Sequence, residues 1–291
     1  NLGPEDYLAR VTDWLSRPPE RPVFLWVHFL RPHAPYDDRP IAEHLYPSGY
    51  EGKFDATSGH KFEPESAADR ERIVALYDGE ILYADSLFQR LLNSLTASDL
   101  LSNAAVVVTA DHGEEFGEHG GYQHGRLYQE HLAIPMLLWS SDNGGEGAVS
   151  DTVFRNVDLL PTLLELAGVP LPEDIDGMSV TAAPSADRPI IGLSMTGPKD
   201  RSASIQIGTE KLIAWCPPER GLEQFDLLAD PLEGESRFRP EASEGLLRNL
   251  TRSLGGEPCA SIRAAARGAP SPAELDPESQ EALRALGYLS D

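Results

Sequence analysis

The stretch "VVVTADHGEEFGEHGGYQHG", residues 106–125, sets Asp111 beside His112 and follows them with His119 and His124. A carboxylate next to an imidazole can chelate a divalent cation, and Gly113 lets the backbone turn sharply behind the pair. An aspartate suits a hard ion such as calcium, while an imidazole ligand widens the range to manganese or zinc. His124 lies far enough beyond Asp111 for the loop to fold back and aim a second imidazole at whatever the metal holds. A second loop, "HFLRPHAPYDDRP", carries His28 and His33. Both loops follow apolar runs, and in open α/β sheets ligands gather at the carboxyl ends of strands.

The surrounding pattern supplies elements to position these residues. In "PEDYLARVTDWLSR", Leu8, Val11, Trp14 and Leu15 recur at helical spacing behind an acidic first turn. "RPVFLWVHFL", "AAVVVTA" and "IPMLLW" are short, nearly continuous apolar runs of the kind found in strands buried on both faces. Ile73, Tyr77, Ile81, Ala84, Phe88, Leu91 and Leu95 mark a long amphipathic helix over 67–95. "NVDLLPTLLELAGV" predicts another helix, ending at Gly168. Residues 41–64, rich in Gly, Pro and Ser, read as a surface excursion. The alternation predicts an α/β fold: a mixed, mostly parallel sheet with helices on both faces, over residues 1–187.

Past Pro184 the texture changes. "SASIQIGTEKLIAW" predicts a hairpin turning at Gly208, and "LEQFDLLADPLE" a strand with a following turn. Residues 188–263 are therefore expected to form a small α+β subdomain with antiparallel strands. Residues 264–291 are read as an extended linker over 264–277, rich in Ala, Pro and Gly, and a short terminal helix.

Of the 291 residues, 41% are apolar and 24% charged, a balance that supports a substantial core. Acidic residues outnumber basic ones 47 to 24, and the net charge of -23 argues against nucleic acid and anionic lipid as partners. No stretch approaches the ~20 continuous apolar residues of a membrane-spanning helix. Cys216 and Cys259 lack a C-x-x-C spacing; one disulfide and two thiols both remain open.

Each candidate also has a plain structural reading. D-H-G after a strand can be a turn whose aspartate caps the backbone. His28, inside an apolar run, is expected to be a buried, hydrogen-bonded structural histidine. His119 and His131 read as polar loop or helix residues, and Asp158 as a helix N-cap. Asp85 is expected to face solvent or pair with a basic neighbour.

Several longer blocks carry a family resemblance. "HFLRPHAPYDDRP" resembles a segment of the sulfatases of the alkaline phosphatase superfamily. "VVVTADHGEEFGEHGGYQHGRLYQEHLAIPMLLW", "NVDLLPTLLELAGVPLPEDIDGMSV", "LEQFDLLADPLEGE" and "EALRALGYL" resemble further blocks of that family, in family order. The resemblance implies that Asp111 and His112 bind a divalent metal, calcium first, with manganese or zinc as alternatives. It implies that His124 contacts the sulfate and the leaving oxygen, and that His33 contacts substrate as a candidate general acid. His28 and Glu114 are placed as supporting or structural neighbours. A transferring sulfuryl group needs its charged oxygens neutralised, which a metal and imidazolium donors can do. The implied substrate is a sulfated small molecule or glycan, met in the periplasm or outside the cell.

One departure qualifies this expectation. Family members begin with a strand, two metal-binding aspartates and a C/S-x-P-x-R motif whose Cys or Ser becomes the formylglycine nucleophile. "WCPPER" does not match that motif, so the chain is expected to be a C-terminal portion that carries no nucleophile, exposes apolar surface and is inactive by itself. A phosphoethanolamine transferase, using zinc and a threonine nucleophile, shares "DHGE" and a histidine at the His124 position. A phosphonate or phosphodiester hydrolase also fits, and so does a non-catalytic binding protein on the same fold.

Overall fold

The structure is a computed structural model that describes residues 3–17, 22–52, 64–143, 147–182, 187–195, 197–217 and 219–268, with residues 277 and 280. Residues 53–63 of the excursion and nearly all of the expected terminal helix lie outside the described residues. The chain divides into two compact units. One comprises residues 1–104, 120–122 and 271–291; the other comprises 105–119 and 123–270.

The first unit is built on α1 (Pro4–Leu15) and α2 (Ala67–Ala97). Ser66 caps α2 by accepting from the Asp69 backbone N–H at 3.1 Å. Leu8 and Leu15 of α1 pack on Leu87 and Leu91 of α2, with Val27 and Phe29 against the same cluster. The expected α2 stripe is only partly right, because Ile81 is exposed and Glu80 takes the buried side. Glu80 is tolerated there because Arg39 Nε, at 3.0 Å, and the Asp37 backbone N–H, at 2.8 Å, both donate to its Oε1.

Two expectations fail between these helices. Residues 22–30 are extended, but no ladder includes them among the described residues. Only Val27 and Phe29 are covered, packed on the helices, while Val23, Phe24 (74%), Leu25 and Trp26 (65%) are all exposed. His28 falls in the exposed register, so it is not the buried structural histidine expected.

The second unit opens with β1 (Ala105–Thr109), followed along the chain by the two-residue strands β2 (Glu115–Phe116) and β3 (Tyr122–Gln123), of which Tyr122 is assigned to the first unit. A single helical turn, α3 (Gln129–Leu132), leads into β4 (Met136–Ser140). β1 and β4 pair antiparallel, Val107 opposite Leu138. Neither is buried on both faces, since Leu137 and Trp139 are exposed. Every ladder whose register is described is antiparallel, so the expected mostly parallel sheet is not formed among the described residues.

Next, α4 (Leu159–Leu166) ends as expected at Gly168, whose φ of 64° lets Val169 N–H bond back to Leu164 O at 2.8 Å. β5 (Ile190–Ser194), the short α5 (Gly197–Asp200), β6 (Ser202–Ile207), β7 (Glu210–Trp215) and β8 (Leu222–Asp226) follow. The four strands form an antiparallel sheet in sequence order. The expected hairpin forms, with Gly208 at φ 58° in its turn. α6 (Pro240–Ser253) and α7 (Pro258–Gly268) cover one face, burying Ala203, Ile205, Leu212, Ala214, Leu250 and Ile262. α7 continues through Ala264–Ala266 to Gly268, where the linker was expected, because an alanine run is a strong helix former. Cys216 and Cys259 form a disulfide between the end of β7 and the start of α7.

The other face of the sheet positions the candidate site. Period-2 alternation sends Lys211, Ile213 and Trp215 of β7 to the side away from α6 and α7. There Ile213, Trp215 and Phe225 pack against Leu127 and Tyr128, in the segment that follows His124.

Candidate active site

Asp111 and His112 sit just past the end of β1. The Asp111 carboxylate accepts the His112 backbone N–H at 3.1 Å, and the Asn156 side-chain amide donates to the Asp111 carbonyl at 3.1 Å. The imidazole has a defined orientation: His112 Nδ1 meets Gly113 O at 2.8 Å, so Nδ1 donates there and Nε2 is the ring nitrogen left to face a ligand. Nε2 lies 3.8 Å from Asp111 Oδ2, two donor atoms side by side.

The turn behind them demands glycine. A Cβ on Gly113 would meet Glu130 O at 2.1 Å. The close approach lets Gly113 N–H bond His131 O at 2.8 Å, tying the turn to α3.

His124 stands against His112, with ring centroids 4.1 Å apart and tilted by 32°. Its Nδ1 faces Glu114 Oε1 at 3.1 Å. The structure thus gathers Asp111, His112, Glu114 and His124 in one unit. His33 and His28 belong to the other. His33 is half-buried between the Arg31–Pro32 and Ala34–Pro35 cis peptides, its Nδ1 2.6 Å from Ala34 O. Arg31 and Arg39 anchor that loop on Glu80.

Beneath the site lies a network that the sequence reading passed over. His119 Nδ1 faces Glu130 Oε1 at 2.7 Å and its Nε2 faces Glu233 O at 3.1 Å. Both partners are acceptors, so both ring nitrogens donate and the ring is an imidazolium. It stacks on Tyr128 at 3.6 Å, the two ring planes nearly parallel. The Tyr128 phenol, pushed up by burial and by Glu223, donates to Glu223 Oε2 at 2.8 Å. His131 is buried with Nε2 3.2 Å from Glu115 Oε2. Lys211 Nζ and Glu233 Oε1 form a fully buried ion pair at 2.6 Å. Burial pushes the ammonium down and the carboxyl up, and each partner opposes the other's shift. A lysine inside "EKLIAW", out of register with an apolar strand, was the sequence signal for this pair.

Ligand atoms of Glu115, His119 and Glu130 lie within 4.8 Å of one another, spacing that could also hold a cation. Their atoms already pair with each other and with Arg126 and His131, so we read the cluster as a clamp. Asp158 departs from its expected role. It sits at the N-cap position of α4 but makes no side-chain cap, and its buried carboxylate instead takes Arg155, Arg188 and the Met178 N–H.

The clamp predicts a pH dependence. Burial disfavours the charged His119, but its bonds to Glu130 and Glu233 outweigh this and raise its pKa above the ordinary value. A raised folded-state pKa contributes stability that is complete below about 6.5 and lost as pH rises through the folded value. The Tm gap between wild type and His119→Gln should therefore be widest near pH 6 and shrink above it. A gap independent of pH would contradict the imidazolium.

A family model described as Sulfatase matches residues 4–169. The arylsulfatase of Clostridium perfringens is 28% identical over 259 residues, covering 80% of this chain and 53% of that protein. The N-acetylglucosamine-6-O-sulfatase of Bacteroides thetaiotaomicron is 36% identical over 181 residues, covering 56% of this chain and 31% of that protein. The chain thus spans about half or less of the length of these relatives. Among solved structures, BT4656 in complex with its substrate D-glucosamine-2-N,6-O-disulfate matches with a TM-score of 0.59 and 25% identity, over 69% of this chain and 44% of that one.

Proposed function

This chain belongs to the sulfatase family, and from that premise we propose that the whole protein hydrolyses sulfate esters of a small molecule or glycan, with Asp111, His112, His124 and His33 in its site. Its α/β fold is the alkaline phosphatase-like fold of its sulfatase neighbours.

The carrying observation is the donor pair at the end of β1. The His112 proton is committed to Gly113 O, which leaves Nε2 as a ligand atom beside the Asp111 carboxylate. Hard oxygen plus imidazole nitrogen fits a divalent cation, calcium first, with manganese or zinc as the alternatives. A cation bound there would supply charge to offset the sulfuryl oxygens. Glu114 holds the Nδ1 side of His124, turning Nε2 of that ring toward a substrate oxygen. His33 is the candidate proton donor to the leaving oxygen. A formylglycine nucleophile, expected from the family pattern, would complete the set. The names of the relatives support a sulfated aryl or amino-sugar ester as substrate.

Thermal unfolding with calcium, manganese or zinc tests the metal reading. At least one ion should raise Tm, and Asp111→Asn should abolish the rise; identical responses in the two proteins would remove Asp111 as a ligand. Sulfate release from an aryl sulfate and from N-acetylglucosamine 6-sulfate by the full-length protein tests the reaction. Release of phosphate from matched phosphate esters without any sulfate would overturn it.

A further inference from the structure

We propose that the buried Lys211–Glu233 pair is a positioning device for the site, with Glu233 the residue through which the β5–β8 sheet holds the loop bearing Asp111, His112 and His124. Glu233 reaches three parts of the unit at once. One carboxylate oxygen takes Lys211 Nζ of β7 at 2.6 Å. The other accepts the backbone N–H of Gln129, the first residue of α3, at 2.5 Å. Its carbonyl accepts His119 at 3.1 Å.

From these three contacts the route to the site is short. α3 carries His131, whose carbonyl holds Gly113 N–H next to His112 and whose ring meets Glu115. His131 Nδ1 also accepts the Gly125 N–H, next to His124, at 3.3 Å. Both neighbours of the candidate ligand and donor side chains therefore trace back, through α3, to the Glu233 carboxylate.

Two features indicate that stability alone does not account for the pair. A buried ion pair stabilises weakly at best, because desolvation offsets its attraction, and a well-packed apolar pair is often as stable or more so. Glu233 also adopts φ 53°, a left-handed conformation that glutamate rarely takes. The turn is held there by Asp230, whose carboxylate accepts Gly234 and Glu235 N–H at 3.1 Å each. Strain and desolvation are both accepted where the carboxylate must point at Gln129.

The inference rests on the metal reading above only for its second readout. The test compares wild type, Glu233→Gln and the apolar double variant Lys211→Met/Glu233→Leu. The first readout is amide hydrogen exchange over residues 111–119 and 123–131, with β6 as internal reference. The second is affinity for calcium alone. We expect exchange in the loop to rise in both variants while β6 stays protected, and calcium affinity to fall by about tenfold or more, the scale seen when outer partners of metal ligands are removed. The double variant separates positioning from folding: it should keep or raise Tm while its loop still exchanges faster. A double variant with wild-type loop exchange overturns the proposal. Faster exchange with no calcium binding by any form upholds the positioning role and removes calcium as the ion instead.

Discussion

Asp158→Ala should lower the unfolding free energy by about 3–5 kcal/mol, the cost of removing one partner from a buried charge cluster. The Asp158 side chain is fully buried and serves two arginines that are themselves largely covered, Arg155 at 20% and Arg188 at 12% exposure. Arg155 Nη2 donates at 3.1 Å and Arg188 Nη2 at 2.8 Å, while Met178 N–H donates at 2.9 Å. Alanine would strand all three groups away from water. The loss should appear in urea titrations as a lower midpoint at unchanged slope. Asp158→Asn keeps the shape and part of the bonding, so it should cost less. A loss below about 1 kcal/mol for alanine would mean that water reaches the arginines and that the cluster behaves as a surface pair. The effect also reaches the site, because Asn156, in the turn that Asp158 closes, holds the Asp111 carbonyl.

Breaking the disulfide should have a comparable cost. Cys216 and Cys259 are 43 residues apart, and loop-closure entropy for that span amounts to about 4 kcal/mol. Cys216→Ser/Cys259→Ser, or reduction of the wild type, should therefore shift the chemical denaturation midpoint strongly. The location amplifies the loss: α7 carries Ile262, buried in the cluster that covers Ala203, Ile205 and Leu212. Freeing α7 would loosen the cover on one face of the sheet whose other face supports Leu127 and Tyr128. A change below about 1 kcal/mol would show that α6 and α7 hold the sheet without the covalent link.

Legibility in the sequence followed the range of the interaction. α1, α2 and α4 were readable because an amphipathic stripe and its caps are local: Leu8 and Leu15, Ile73 and Leu91, and Gly168 all sit where 3.6-residue periodicity or an αL stop places them. The hairpin at Gly208 was readable for the same reason. Residues 22–30 were misread because an apolar run states only that burial is sought. Which face is covered, and whether a ladder forms, depends on neighbours distant in sequence. His28 then followed its register into solvent.

By itself the sequence determined the chemical inventory and its local frame. Asp111 next to His112, the glycine that must follow them, and His124 within reach are all encoded in one loop whose bonds are short in range. Tertiary structure decided what holds that loop in place. The Glu233 carboxylate meeting Gln129, Lys211 entering from β7, and His119 bridging Glu130 to Glu233 join residues separated by as many as 114 positions. No periodicity announces such contacts, because a buried charge is stable only beside its partner, and only the folded chain brings that partner within hydrogen-bonding distance.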